Sequence, residues 1–432
     1  MTDIYEIAEY TLEALKKSGA DAAQCIVSKS KKDELNVDGG KFSLMRSTFN
    51  TSISMKAIKD GKKGVTSINQ ATKEAIDEAA DQCISAAQSS VPDEAEQIAS
   101  FTAKAEYKTG VFEPELDKLF DRIEEFMSQT AAEYPKIILE QLISDYEHSE
   151  KLYMNTNGTS LKYEHGEYSF NTMFSAHEGE KASSFNGYFC ALDSLDKPFM
   201  DAGMQRQLLA ESEKQLDTVS PSEKFVGRVI YSPDCFNELL QTALENFASS
   251  GVLIDGTSPW KDALNTKVAS EKLNLRSVPL DGRTVVGQRF TSDGYPVEDM
   301  DIIIDGVLKT FILSQYGANK TGFPRSLNSG NNLEVLPGDK ALEEMISGID
   351  RGLIVNRFSG GQPSSNGDFS GVAKNSFLIE NGKVVSAVSE TMISGNIIDM
   401  LNNIVAVSKE QTTDGLSFMP WAEFDGVTVS GK

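Results

Sequence analysis

The chain has 432 residues, too many for one ordinary hydrophobic core, so two or three domains are expected. Its 41 basic and 64 acidic residues give a net charge of −23, which argues against a nucleic-acid-binding surface because phosphates are neutralised by clustered Lys and Arg. The four cysteines, Cys25, Cys83, Cys190 and Cys235, are far apart and form no CxxC pair, so reduced thiols in a cytoplasmic protein are expected rather than a disulfide framework.

The N-terminus, Met1-Thr-Asp-Ile-Tyr-Glu-Ile-Ala-Glu9, lacks the basic start and apolar segment of a signal peptide. No apolar run reaches the length that spans a bilayer. Ile4, Ile7, Ala8, Leu12 and Leu15 recur at helical spacing and predict a helix over 4–18, ended by Gly19. Ala22–Val27 reads as a strand. The cluster Lys29-Ser-Lys-Lys32 is followed at once by Asp33-Glu34 and reads as a solvated charged turn. Residues 35–44 and 51–68 read as hairpin regions, the second turning about Asp60-Gly61. A helix is predicted over 72–88, an irregular linker over 89–113 and a second long helix over 116–134. Strands follow at 137–144, 147–158, 161–176 and 183–190, then a helix at about 202–216. Ser220-Pro-Ser-Glu223 marks a plausible boundary.

From Gly227 the texture changes. One helix, about 234–249, precedes many short strands split by glycine turns such as Ile304-Asp-Gly-Val307 and Glu380-Asn-Gly-Lys383. The expected fold is therefore α+β. Residues 1–218 form an N-terminal lobe of helices on mixed or antiparallel sheets, with possible related halves at 1–90 and 112–218. Residues 222–432 form a C-terminal lobe with a mostly antiparallel curved sheet or open barrel.

One segment stands out: Gly352-Leu-Ile-Val-Asn-Arg-Phe-Ser-Gly-Gly-Gln-Pro-Ser-Ser-Asn-Gly-Asp-Phe-Ser370, which runs into the hairpin pattern Asn375–Val385. Phe358-Ser-Gly-Gly361 is not a P-loop, which needs Lys-Ser/Thr and a helix directly after it. Read from residues alone it is a glycine-rich hairpin loop, with Asp368 as a turn former.

The whole segment closely resembles the C-terminal signature of the TldD/PmbA family of two-subunit metallopeptidases. Phe290-Thr-Ser-Asp-Gly-Tyr-Pro296 with Ile302–Tyr316 and Lys320-Thr-Gly322 resembles a second block of that family, and Thr391-Met-Ile-Ser-Gly-Asn396 a third. The resemblance covers about 225–430 well. It implies a cytoplasmic protein connected with trimming or degrading small unfolded peptides, a class that also carries the label modulator of DNA gyrase.

The family's catalytic subunit carries an HExxxH helix and a late cysteine that bind zinc. A zinc hydrolase needs about three protein ligands and an open position for water. This chain has only His148, His165 and His177, all ahead of the expected helix and none with a second His three to five residues away. Where the family places its zinc helix, Ser232–Phe247, the histidine positions fall on Gln241 and Asn246 and the general-base position on Thr242. Amides are poor zinc ligands beside imidazole, and Thr cannot replace a carboxylate as base. Asn403–Glu410 also lacks the late cysteine.

The resemblance is thus to the PmbA, or TldE-type, subunit: no catalytic residue, no metal bound by this chain, and zinc expected only in a TldD-like partner carrying HExxxH. The candidate peptide or partner groove is Ser359, Gly360, Gly361, Gly367 and Asp368. A stand-alone homodimer that binds peptides is the alternative. Ser359, Ser364, Ser365 and Cys235 are conceivable nucleophiles for other chemistry, but each needs an adjacent base.

Overall fold

A computed structural model describes residues 2–221 and 223–431. Helix α1 (Ile4–Lys17) starts where Asp3 Oδ1 accepts the Glu6 N–H at 2.9 Å and ends with Lys16 and Lys17 against its negative pole. With α2 (Lys73–Ser89) it covers one face of β1 (Ala22–Asp38), β2 (Lys41–Lys59) and β3 (Lys62–Ile68). Ile7, Leu15, Ile76 and Cys83 pack there on Cys25, Val27, Ile53 and Met55. The β2–β3 turn has Asp60 and Gly61 both at positive φ, 51° and 70°, the geometry that suits a two-residue hairpin.

Strands β4 (Lys104–Gly110), β5 (Ile137–Asn155) and β6 (Ser160–Glu178) join the same sheet, in the order β3-β2-β1-β5-β6-β4. The segments 1–90 and 112–218 therefore share one sheet through the antiparallel β1–β5 pairing. Helix α3 (Leu116–Glu133) packs Leu119, Ile123 and Phe126 against it.

Three local expectations change. Residues 104–110 are a strand parallel to β6, not linker; the strand is short, lies at a sheet edge and carries only Ala105 and Tyr107 as its apolar signal. Residues 137–155 form one continuous strand with a bulge at Leu139/Gln141. The charged stretch from Lys29 to Glu34 is the middle of β1 rather than a turn. Cross-strand partners neutralise it there: Lys32 lies 3.0 Å from Glu147 and 3.4 Å from Asp145, and Arg46 lies 3.0 Å from Glu34.

Helix α4 (Gln205–Lys214) leads into the second sheet, built from residues 218–430, mixed but mostly antiparallel. Its strand Phe225–Tyr231 lies between Phe418–Ser430, antiparallel, and Arg351–Val355, parallel. Asp305-Gly306 and Asn381-Gly382 repeat the positive-φ turn seen at Asp60-Gly61. Helix α5 (Pro233–Ala248) buries Phe236, Leu240 and Phe247 against this sheet. The two sheets meet through one apolar cluster that joins Phe126, Phe170 and Leu209 to Ile230, Ile354, Phe377 and Trp421. Among the described residues no helix is long and apolar enough to cross a membrane.

Candidate functional site

Helix α5 is positioned at its first turn. Ser232 Oγ accepts the Cys235 N–H and donates to Asn356 O at 3.1 Å, and Pro233 occupies the first helical position, where no N–H is needed. This ties the helix to the end of Arg351–Val355. The chain then runs into Arg357–Gly360, which pairs antiparallel with Asp368–Lys374 and forms a hairpin around residues 361–367. The glycine-rich loop is thus a hairpin, as its residues indicate.

Gly360 faces Gly371 in this hairpin, and the Phe358 ring lies over both. A Cβ at either position would come within 2.5 Å of that ring. Among the described residues Arg357–Gly360 pairs with a strand on one side only; on the other the Phe358 N–H meets the Cys235 thiol, and no strand covers that edge.

A cavity of about 260 Å³ lies between the hairpin and α5. Cys235, Glu238, Leu239 and Thr242 face it from the helix, spaced i, i+3, i+4 and i+7. Phe358, Ser359, Gly360 and Gly361 face it from the hairpin. A second cavity, about 510 Å³, adjoins it across Cys235 and Glu238 and reaches Asn171 and Met173 of β6. The two cavities share Cys235 and Glu238 as a common wall, the first lying between α5 and the hairpin and the second reaching across to the first sheet.

Of the three residues that the sequence reading sets against a zinc helix, Thr242 lines the cleft, Gln241 is exposed and 3.5 Å from Asn237 Oδ1, and Asn246 is half-buried one turn further along. Ser359, Gly360 and Gly361 line the cleft as a group. Gly367 and Asp368 anchor the loop instead. Gly367 has φ +93° and accepts the Ile397 N–H, and Asp368 accepts from Asn396 Nδ2 and Asn366 Nδ2, each at 2.9 Å. These bonds hold the Asp368 carboxyl below the usual range. Asn396 also caps the short helix Ile397–Asn402, so the third sequence block serves to fix this loop.

Glu238 was not legible as a site residue until Thr242 and Cys235 set the helix face, after which its i, i+3 spacing from Cys235 would have found it. Burial raises its carboxyl, with Arg357 partly offsetting that effect. Burial in the cleft wall, helped by the Asp414 carboxylate, pushes Asp234 up to about 6, although water still reaches its side chain. Burial, Glu238 and Asp234 push the Cys235 thiol well above its ordinary value, which leaves it protonated and unreactive at neutral pH. Ser364 Oγ is engaged within its own loop by Asn366 and Asp368.

All three histidines lie on β5 and β6. His148 Nε2 is 3.0 Å from Glu164, His165 is buried, and His177 Nε2 is 2.9 Å from Ser175 Oγ. Among the described residues no three His, Cys, Asp or Glu side chains are grouped to hold a metal ion. The donors that α5 offers at Gln241, Thr242 and Asn246 are amides and a hydroxyl, which do not fit zinc.

The family profile of the PmbA/TldA metallopeptidase C-terminal domain matches residues 224–431, and that of PmbA/TldA metallopeptidase domain 1 matches residues 23–87, together well over half of the chain. The chain belongs to the TldD/PmbA family. It is 32% identical to the metalloprotease PmbA of Escherichia coli O157:H7 over 155 residues, 35% of this chain and 34% of that one. It is 25% identical to a metalloprotease PmbA homolog of Buchnera aphidicola over 283 residues, 61% of this chain and 62% of that one. A zinc metalloprotease TldD homolog of Saccharolobus solfataricus is 28% identical over 220 residues, 47% and 49% of the two chains. The match thus spans from about a third to three-fifths of these relatives' length. TldE from Thermococcus kodakarensis superposes with a TM-score of 0.81 at 22% identity, covering 98% of this chain and 100% of that one. A Bacteroides thetaiotaomicron protein named as a modulator of DNA gyrase superposes at 0.84 with 23% identity, covering 100% of both. At these identities the superpositions establish the fold.

Proposed function

We propose that this chain is the non-catalytic subunit of a zinc peptidase of the TldD/PmbA family, working in the cytoplasm with an HExxxH-bearing partner on small unfolded peptides. The observation that carries this reading is α5 itself. It lies beside the glycine hairpin, and by the sequence resemblance Gln241, Thr242 and Asn246 stand where zinc ligands and a general base would be needed.

The cleft supports a role in holding peptide. Arg357–Gly360 offers an unpaired strand edge, and an extended peptide can satisfy its backbone groups there with little regard to side chains. Gly361 gives a clean test. Its φ is ordinary and a Cβ would meet nothing within 4 Å, so Gly361→Val leaves the fold intact, with stability within about 0.5 kcal/mol of wild type. It adds bulk to the cleft wall, and peptide or partner affinity should fall severalfold. Fluorescence anisotropy with a labelled unstructured peptide reads this, and unchanged binding by the subunit and its complex would remove the loop from the proposal.

The partner is tested by affinity purification from source cells with mass spectrometry. A stoichiometric chain of the same family carrying HExxxH supports the two-subunit reading. Recovery of self-copies alone favours the stand-alone peptide-binding homodimer.

A further inference from the structure

The face of β1, β5 and β6 that points away from the helices is polar, which is unusual for the inner part of a three-strand block. The antiparallel register sets its side chains in rows: Ser52, Ser28, Lys151 and Tyr163 in one, and Asn50, Ser30, Ser149 and His165 in the next. The loop 287–290 from the other sheet closes over these rows and leaves a cavity of about 420 Å³, within the range of small-molecule sites.

Three cations line it, Lys29, Lys151 and Arg289, and the Lys29 ammonium is directed to Thr2 O at 2.6 Å. The two carboxylates that also line it are already paired elsewhere, Glu147 with Lys32 at 3.0 Å and Glu150 with Lys162 at 2.9 Å. Among the described residues no carboxylate lies within 4.0 Å of Lys151 or Arg289. Burial alone lowers the Lys151 ammonium from its ordinary value.

Arg289 is held ready. Its Nη1 donates to Pro279 O at 2.6 Å and Gln288 O at 3.1 Å, and among the described residues its remaining N–H groups have no acceptor. Gly287 makes room for that contact, since a Cβ there would sit 2.2 Å from Pro279 O and 2.9 Å from Nη1. The Arg289 guanidinium lies over Tyr163 and the Lys151 ammonium over Phe290, at 5.6 and 5.7 Å from the ring centres. The Ser28 and Ser30 hydroxyls make no hydrogen bond to the described protein and stand beside Lys151 as free donors. In a chain of net charge −23, two enclosed cations without a counter-charge require an explanation.

We propose that this cavity binds a small oxyanion, a carboxylate or a phosphate, between Lys151 and Arg289, with the serine hydroxyls of β1 as further donors. The site shares no lining residue with the cleft at α5, so it stands or falls independently of the peptidase-subunit reading.

The test is isothermal titration of the full chain with succinate and, separately, inorganic phosphate in a chloride buffer. Saturable binding of either supports the site, and which one binds distinguishes carboxylate from phosphate. Lys151→Met should weaken that binding at least tenfold, through loss of a charge-assisted contact, without lowering the melting temperature of the ligand-free chain. Should Lys151→Met fail to fold, Ser28→Asp decides. It places a carboxylate directly across from Lys151 and should abolish binding by occupying the cation. No saturable binding of either anion by wild type, or undiminished binding by a folded variant, overturns the proposal.

Discussion

Phe247→Ala lowers the stability of the chain by about 3–5 kcal/mol, the usual cost of truncating a buried phenylalanine. Phe247 is fully buried on α5, its ring 5.1 Å from Trp260 and tilted against it. It also lies beneath the hairpin loop, since a Cβ at Gly367 would be 3.0 Å from its ring tip. The loss therefore combines three effects: apolar surface no longer buried, a cavity that neighbouring side chains fill only in part, and support removed from the loop that shapes the cleft. Urea denaturation followed by tryptophan fluorescence reads it directly, because Trp260 is one of only two tryptophans and touches the mutated ring. A midpoint near that of wild type would mean that α5 is not held as described. The same variant should bind peptide less well even where it remains folded, since the Phe247 ring lies against the loop at Gly367.

Glu167→Gln changes the pH dependence of stability. Burial, helped by Glu147 and Asp145 and partly offset by Lys32, pushes the Glu167 carboxyl up to about 7. Its Oε2 lies 3.1 Å from His165 Nε2, but this is not an ion pair: burial lowers the imidazole, which stays neutral. His165 Nδ1 lies 2.8 Å from Thr109 Oγ1 and 3.2 Å from Thr109 O. Glu167 Oε2 and His165 Nε2 are both buried without a hydrogen-bond partner among the described residues, so ionising Glu167 places a poorly compensated charge there, which the protonated acid avoids.

The folded-state value lies above the unfolded value of about 4.5, so the folded chain holds the proton more tightly between these limits. The stability from this proton is complete below about pH 4.5, falls as pH rises through 7 and is lost above it. The resulting difference is on the order of 2–3 kcal/mol at pH 8. Gln mimics the protonated acid and does not titrate. Glu167→Gln should therefore match wild type near pH 4 and exceed it by about that amount at pH 8. Urea midpoints measured across this range check the sign, and parallel curves would refute it.

Much of the fold was legible because several local rules agree. Asp60-Gly61, Asp305-Gly306 and Asn381-Gly382 each announce a turn that only positive φ can make, and each makes it. The five longer helices follow their apolar spacing to within a few residues. What escaped was non-local. The charges of Lys32 and Glu34 read as a turn until their partners Glu147 and Arg46, from distant strands, are known. β4 owes its place to β6 rather than to its own pattern. At the site, Ser359–Gly361 and Thr242 could be named from sequence, whereas Glu238 and the roles of Gly367 and Asp368 as anchors depend on how α5 and Asn396 meet the loop.

The proposed role is a contribution to peptide cleavage without catalysis by this chain. The most direct test is the hydrolysis rate of an unstructured peptide by the purified chain alone and after mixing with a family partner that carries HExxxH. The predicted result is no hydrolysis by the chain alone, hydrolysis by the mixture that a zinc chelator abolishes, and no loss on changing the exposed Gln241 to Ala in this chain. Chelator-sensitive hydrolysis by this chain alone would contradict the account.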